Sequence, residues 1–308
     1  MKKYIYPVVL IVALSAGVYS CKKETGEPEN RPSTGRRITP PDFSNNPSGP
    51  TNPASPSIHL TLGNPSNAVA NTAQATNYLM AKPQFALSYN SERGIPNWVS
   101  WHLDASWVGS AKRQDDYRAD VSLPAGWYHV SELDYDFASN GFDRGHNCPS
   151  GDRTNSVADN SATFLMTNMI PQAPRNNQFT WGSLEDYCRK LASQGNELYI
   201  IMGNYGVGGT GSAGYRTTIA GGKVTVPSNI WKVVVVLPNG DDDINRITST
   251  TRVIAINTPN DNSVNTSWGI YRTSVDAIEA ATGYDLLSKL PESLQAILEA
   301  RVDVGPTN

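Results

Sequence analysis

Phe142-Asp143-Arg144-Gly145-His146-Asn147 sets three chemically active side chains around one glycine. His146 is one of only four histidines, the others being His59, His102 and His129. A neutral imidazole is suited to taking a proton from water near pH 7, a step that phosphodiester hydrolysis without a covalent intermediate requires. Arg144 offers a planar fork of donors to phosphate oxygens. Gly145 lets the backbone pass close to a neighbour or bend sharply. By themselves, Asp143 to His146 also fit a bland arrangement: a surface ion pair beside a histidine that satisfies a loop.

Downstream, Thr167-Asn168-Met169-Ile170-Pro171-Gln172 is followed by Asn176-Asn177-Gln178, Trp181 and Leu184-Glu185-Asp186. Trp181, Leu184, Cys188 and Leu191 recur at helical spacing, which predicts a helix over 178–193. Asn177 stands at or just before its start. Glu185 follows about two turns later and roughly 80° round the axis, so the two flank one side at different heights. A neutral amide oxygen suits Mg²⁺, which keeps most of its waters when few protein oxygens bind it. Glu185 could hold one of those waters. Arg189 could pair with Glu185 or face a phosphate. Asn177 would equally serve as a helix N-cap, and Glu185–Arg189 as an exposed salt bridge.

Further out, Phe85–Tyr89 and Trp98–Leu103, joined through Arg93-Gly94-Ile95-Pro96, read as two strands, and Thr163–Met169 as another. Leu198–Met202, Trp231–Leu237 and Arg252–Ile256 are apolar, β-branched runs that suit central strands. Lys112–Pro124 is loop-like. Ser274 to Val302 reads as two helices split near Tyr284-Asp285 and Pro291. Strands and helices do not alternate regularly, so the expected fold is α+β, with a mainly antiparallel central sheet flanked by helices.

In order and spacing, D-R-G-H, T-N-M-x-P-Q and N-N-Q-x-x-W-x-x-L-E-D-Y-x-R resemble the DNA/RNA non-specific endonucleases, the ββα-metal nucleases that include mitochondrial endonuclease G and secreted bacterial enzymes. The similarity is closest to the secreted cyanobacterial type and runs from about Tyr78 through most of the chain. The resemblance implies a ββα-metal active site with His146 as general base, Asn177 as the one direct protein ligand of the metal, and Glu185 orienting metal-bound water. It further implies that Arg144, Arg113 and Arg189 neutralise phosphate charge, that Asp143 holds the His146 loop, and that Asn168 supports the site. The implied cofactor is Mg²⁺, with Mn²⁺ as a substitute. The implied reaction is hydrolysis of DNA and RNA to 5′-phosphate products without regard to base or sugar, since contacts to phosphate alone read neither. Other readings are a catalytically silent surface module of the same fold and a phosphodiesterase acting on small nucleotides.

The remaining sequence constrains setting more than chemistry. The 308 residues carry a net charge of -3, which disfavours a basic nucleic-acid coat but leaves room for a few cations at one phosphate. Lys2 and Lys3 followed by the apolar stretch Pro7–Val18 read as a signal peptide over 1–20, too short for a bilayer span. Val18-Tyr19-Ser20-Cys21 resembles a lipobox, making Cys21 the expected lipid-bearing residue. The expected product is an exported bacterial protein at the outer membrane or cell surface, otherwise periplasmic or extracellular. Residues 21–75, rich in Pro, Asn, Ser and Thr, are expected to form a tether, with the nuclease domain over 76–304. An exported nuclease endangers its maker, so a protein inhibitor is conceivable, although no residue specifies one. Cys148 and Cys188 leave a disulfide open. The G-x-G-x-x-G match at 206–211 lacks a following helix and reads as a loop. His146, Cys148 and Cys188 lack paired zinc-ligand spacing. His59 in the tether, and His102 and His129 without a motif, read as structural or solvated.

Overall fold

The computed structural model of the protein describes residues 57–308. The expected signal peptide, Cys21 and most of the expected tether lie outside the described residues. Nine strands carry the architecture: β1 (Tyr78–Ala81), β2 (Ala86–Asn90), β3 (Ile95–Leu103), β4 (Asp143–His146), β5 (Met169–Gln172), β6 (Asn196–Tyr205), β7 (Asn229–Pro238), β8 (Arg252–Pro259) and β9 (Arg272–Thr273). Three helices matter most for position: α1 (Gly182–Ser193), α2 (Val275–Thr282) and α3 (Glu292–Glu299). Seven strands form one sheet in the order β1-β2-β3-β6-β7-β8-β9, antiparallel throughout. The expected α+β class with a mainly antiparallel central sheet is the observed one.

Side-chain alternation along β7 divides the core. Ile230 and Val234 face one layer with Trp181, Leu184 and Cys188 of the α1 region and with Met169 and Ile170 of β5. Trp231, Val233 and Val235 face the other, where Val275, Ile278 and Leu298 of α2 and α3 cover the sheet. The sheet is therefore buried on both faces, which explains why β7 reads as a near-continuous apolar run. Lys232 interrupts that run on the α1 side and is 1 % exposed.

The local differences from expectation have physical causes. The strand expected over 163–169 begins only at Met169, because Met166–Asn168 forms a 3-10 turn. Asn168 pins that turn by donating to the carbonyls of Cys148 and Thr163, each at 2.9 Å. The helix expected from Gln178 opens as a π-helical turn over Asn176–Trp181 before becoming α1. Residues 57–75, expected in the tether, pack onto the sheet. Leu62 and Ala68 join the core, and His59 is buried with its Nε2 2.8 Å from the Pro83 carbonyl. His59 Nδ1 accepts the His102 N–H at 3.1 Å. The few apolar residues of this stretch were masked by the polar composition around them. Cys148 and Cys188 are free, buried thiols. Among the described residues, no helix is long and apolar enough to cross a membrane.

Candidate active site

Strands β4 and β5 pair antiparallel, with Gly145 opposite Ile170 and His146 opposite Met169. A Cβ on Gly145 would lie 2.3 Å from Gln172 Oε1 and 2.6 Å from Gln172 Cβ, so close approach is what requires the glycine. The chain then returns through the π-helical turn into α1. This β-β-α unit lies beside an open cavity of about 570 Å³ lined by Arg113, Asp143, Arg144, His146, Asn177, Glu185 and Arg189. Seven of the eight residues singled out in the sequence meet there. Asn168 lies behind them, fully buried, where its Oδ1 accepts the Cys148 N–H at 3.0 Å and its carbonyl takes the Asn147 N–H at 2.9 Å.

His146 is held edge-on by two aromatic rings, Phe164 at 4.9 Å and Tyr117 at 5.7 Å between centroids. Its Nε2 is buried and has no hydrogen-bond partner among the described residues. Burial first, then the Arg113 charge, pushes its pKa down to about 3, against a hydrogen bond to the Arg144 backbone. The imidazole is thus neutral across the ordinary pH range. The unfolded imidazole protonates near 6.5 and the folded one near 3, so between these values only the unfolded chain takes up the proton. This contribution to stability is intact above pH 6.5 and is lost as the pH falls toward 3. Urea denaturation at about pH 7.5 and about pH 4.5 should show a larger loss for the native protein than for His146→Gln, by roughly 3 kcal/mol. Equal losses would contradict the buried neutral ring.

Asp143 neither caps nor pairs with Arg144. Its Oδ2 accepts from Asn177 Nδ2 and from Gln178 Nε2, both at 2.9 Å. Asn177 therefore sits inside the π-helical turn rather than at an N-cap, its amide nitrogen occupied and its Oδ1 without a protein donor among the described residues. Arg144 stacks over Tyr117 at 4.3 Å and reaches Glu132 at 2.8 Å, a half-exposed pair that contributes little stability. Arg113 donates to Ser150 Oγ at 2.9 Å, Tyr117 OH at 2.8 Å and Asp115 at 2.6 Å.

Glu185 and Arg189 do not pair with each other by contact. Arg189 bridges Asp152 at 2.8 Å and Asp186 at 2.6 Å. Burial opposes its charge, but Asp152 and Glu185 outweigh burial and raise its pKa. Glu185 instead faces Lys232, whose Nζ stands 3.6 Å away between the rings of Trp101 and Trp181. Burial raises the Glu185 pKa, and Lys232 and Arg189 hold it back. Sequence reasoning missed Lys232 and Asp152. The signals were present: a lone lysine in the apolar run Ile230–Leu237, and an acidic residue soon after the histidine motif.

A neutral imidazole, three guanidinium groups and an oriented amide oxygen line one open cavity on a β-β-α scaffold, an arrangement suited to phosphodiester hydrolysis. Residues 62–293 match the family described as DNA/RNA non-specific endonuclease, and the chain belongs to that family. It is 52% identical over 247 residues to a nuclease of Nostoc sp. (strain PCC 7120 / SAG 25.82 / UTEX 2576), covering 80% of this chain and 86% of that one. The nuclease of Serratia marcescens is 27% identical over 245 residues, covering 76% and 84% of the two chains. The mouse protein "Nuclease EXOG, mitochondrial" is 31% identical over 156 residues, 49% of this chain and 42% of that one. A chain in the crystal structure of the EndoG/EndoGI complex shares the fold, with a TM-score of 0.61 at 21% identity, over 77% of this chain and 92% of that one. The protein is a non-specific endonuclease that hydrolyses nucleic acids.

Proposed function

We propose that this cavity cuts phosphodiester bonds of DNA and RNA to leave 5′-phosphates, with His146 as general base. The carrying observation is a neutral His146 lining a cavity that also holds Arg113, Arg144 and Arg189. The His146 imidazole takes the proton of the attacking water. The three guanidinium groups offset charge that develops on the phosphate. Asp143 and Asn168 act as positioning residues, the first through the Asn177 amide and the second through the loop at Cys148.

The donors fit a magnesium ion. With its nitrogen held by Asp143, Asn177 presents a neutral oxygen, and Glu185 lines the same cavity. A single protein oxygen suits an ion that retains most of its waters. Asn177 would hold it directly, and Glu185 would fix its hydration. When bound, Mg²⁺, or Mn²⁺ in its place, would supply positive charge that offsets the negative charge developing in the transition state. At the cavity, Arg113 and Arg144 remain accessible to a polymer backbone.

We also propose that residues 1–20 direct export, that Cys21 carries a lipid, and that the segment after it spaces the nuclease from a membrane. Digestion of plasmid DNA and single-stranded RNA with Mg²⁺ or EDTA tests the chemistry. Both polymers should be cut with Mg²⁺ and neither with EDTA, and the DNA ends should ligate without prior phosphorylation. Absence of cleavage in any divalent metal would leave a binding module on a nuclease scaffold.

A further inference from the structure

On the sheet face opposite the cavity, α2 and α3 bring three carboxylates together. Asp276 and Glu279 lie one turn apart on α2, and Glu299 ends α3. One carboxylate oxygen from each lies within 4.8 Å of the others. Like charges at this helical spacing repel, and the C-terminal end of a helix disfavours the negative charge of Glu299. None of the three joins an ion pair among the described residues. Glu279 has one donor, the Leu286 N–H at 2.7 Å.

Glu299 is the informative member. It is 6 % exposed, and its Oε1 is buried without a hydrogen-bond partner among the described residues. Burial, then Glu279, Asp276 and Asp285, pushes its pKa up to about 7. A buried carboxylate without a partner is costly and is retained where something else satisfies it.

We infer that Asp276, Glu279 and Glu299 bind a calcium-type divalent cation that fastens α2 to α3. Three oxygens within 4.8 Å of one another place a central ion no more than about 2.8 Å from each, so a slight inward shift of the side chains meets the range for calcium–oxygen bonds. Ca²⁺ accepts irregular sets of carboxylates completed by carbonyls and water, whereas Mg²⁺ requires shorter bonds and near-octahedral order. The ion would leave the cluster with one net negative charge instead of three. The role is structural and independent of the cleavage chemistry, because the two sites lie on opposite faces of the sheet.

The test is thermal unfolding of the full chain carrying Asn177→Ala, which removes the proposed magnesium ligand, in EDTA or in saturating CaCl₂. Calcium should raise Tm by about 5 °C, as tight single-site binding to the folded state does. Adding Glu299→Gln should raise Tm in EDTA, by removing the buried repulsion, and should abolish the response to calcium. No calcium response in the Asn177→Ala chain, or the same response with Glu299→Gln, would overturn the inference. A stoichiometry of one by calorimetry with CaCl₂, lost with Asp276→Asn and with Glu299→Gln, would fix the ligands.

Discussion

His146→Ala is expected to slow cleavage of plasmid DNA and of RNA by about 10²- to 10⁴-fold, the usual contribution of a positioned general base. The fold should survive. His146 sits at the end of β4 and makes no side-chain hydrogen bond to another side chain, so its removal leaves the β4–β5 pairing and the Asn168 network intact. The loss should fall on kcat, with KM for the polymer nearly unchanged, because the substitution leaves in place Arg113, Arg144 and Arg189, the groups proposed to hold the phosphates. Free imidazole should restore part of the activity by entering the space between Phe164 and Tyr117. A variant within about tenfold of the native rate would remove His146 from the role of base.

Lys232→Met should have the largest effect on stability. The substitution keeps most of the volume between Trp101 and Trp181 but leaves Glu185 in a desolvated position facing an apolar side chain. Removing one partner of a buried pair costs about 3–5 kcal/mol, which for a domain of this size lowers Tm by roughly 10 °C. The same change withdraws the charge that holds the Glu185 pKa back against burial. Glu185 should therefore protonate at higher pH, and the acidic limb of the activity profile should move toward neutrality. Glu185→Gln in the Lys232→Met background should recover part of the lost Tm while leaving activity low. Melting curves and pH–rate profiles of the three variants check the argument. An unchanged Tm for Lys232→Met would show that the pair does not hold α1 to the sheet.

The sheet was legible because its strands are long and apolar, and each of the three expected central strands lies inside an observed one, as Leu198–Met202 lies in β6. The ends of the site elements were not legible. Asn168 and Asn177 act through side-chain hydrogen bonds to distant backbone and to Asp143, and such bonds leave no periodicity in a sequence. The π-helical turn at Asn176–Trp181 changes the angular relation of Asn177 to Glu185 from that of a regular helix. Seven chemically apt residues were gathered from a motif and its spacing, yet the partners that orient them came only with the structure. Asp152 and Lys232 lie 37 and 47 residues from the α1 side chains they serve, with no local pattern to link them.

Strand β7 gives one element two masters. Its alternate side chains answer either to the nuclease layer or to the helices behind the sheet. Selection on catalysis and selection on folding therefore act on interleaved positions of the same ten residues. Drift at Val233 or Val235 is limited by how much folded enzyme the cell retains, whereas drift at Lys232 is limited both by that and by how the retained enzyme works. Descendants of this chain can thus change their tolerance of heat through one set of positions without disturbing turnover, and the two histories are written in a single strand.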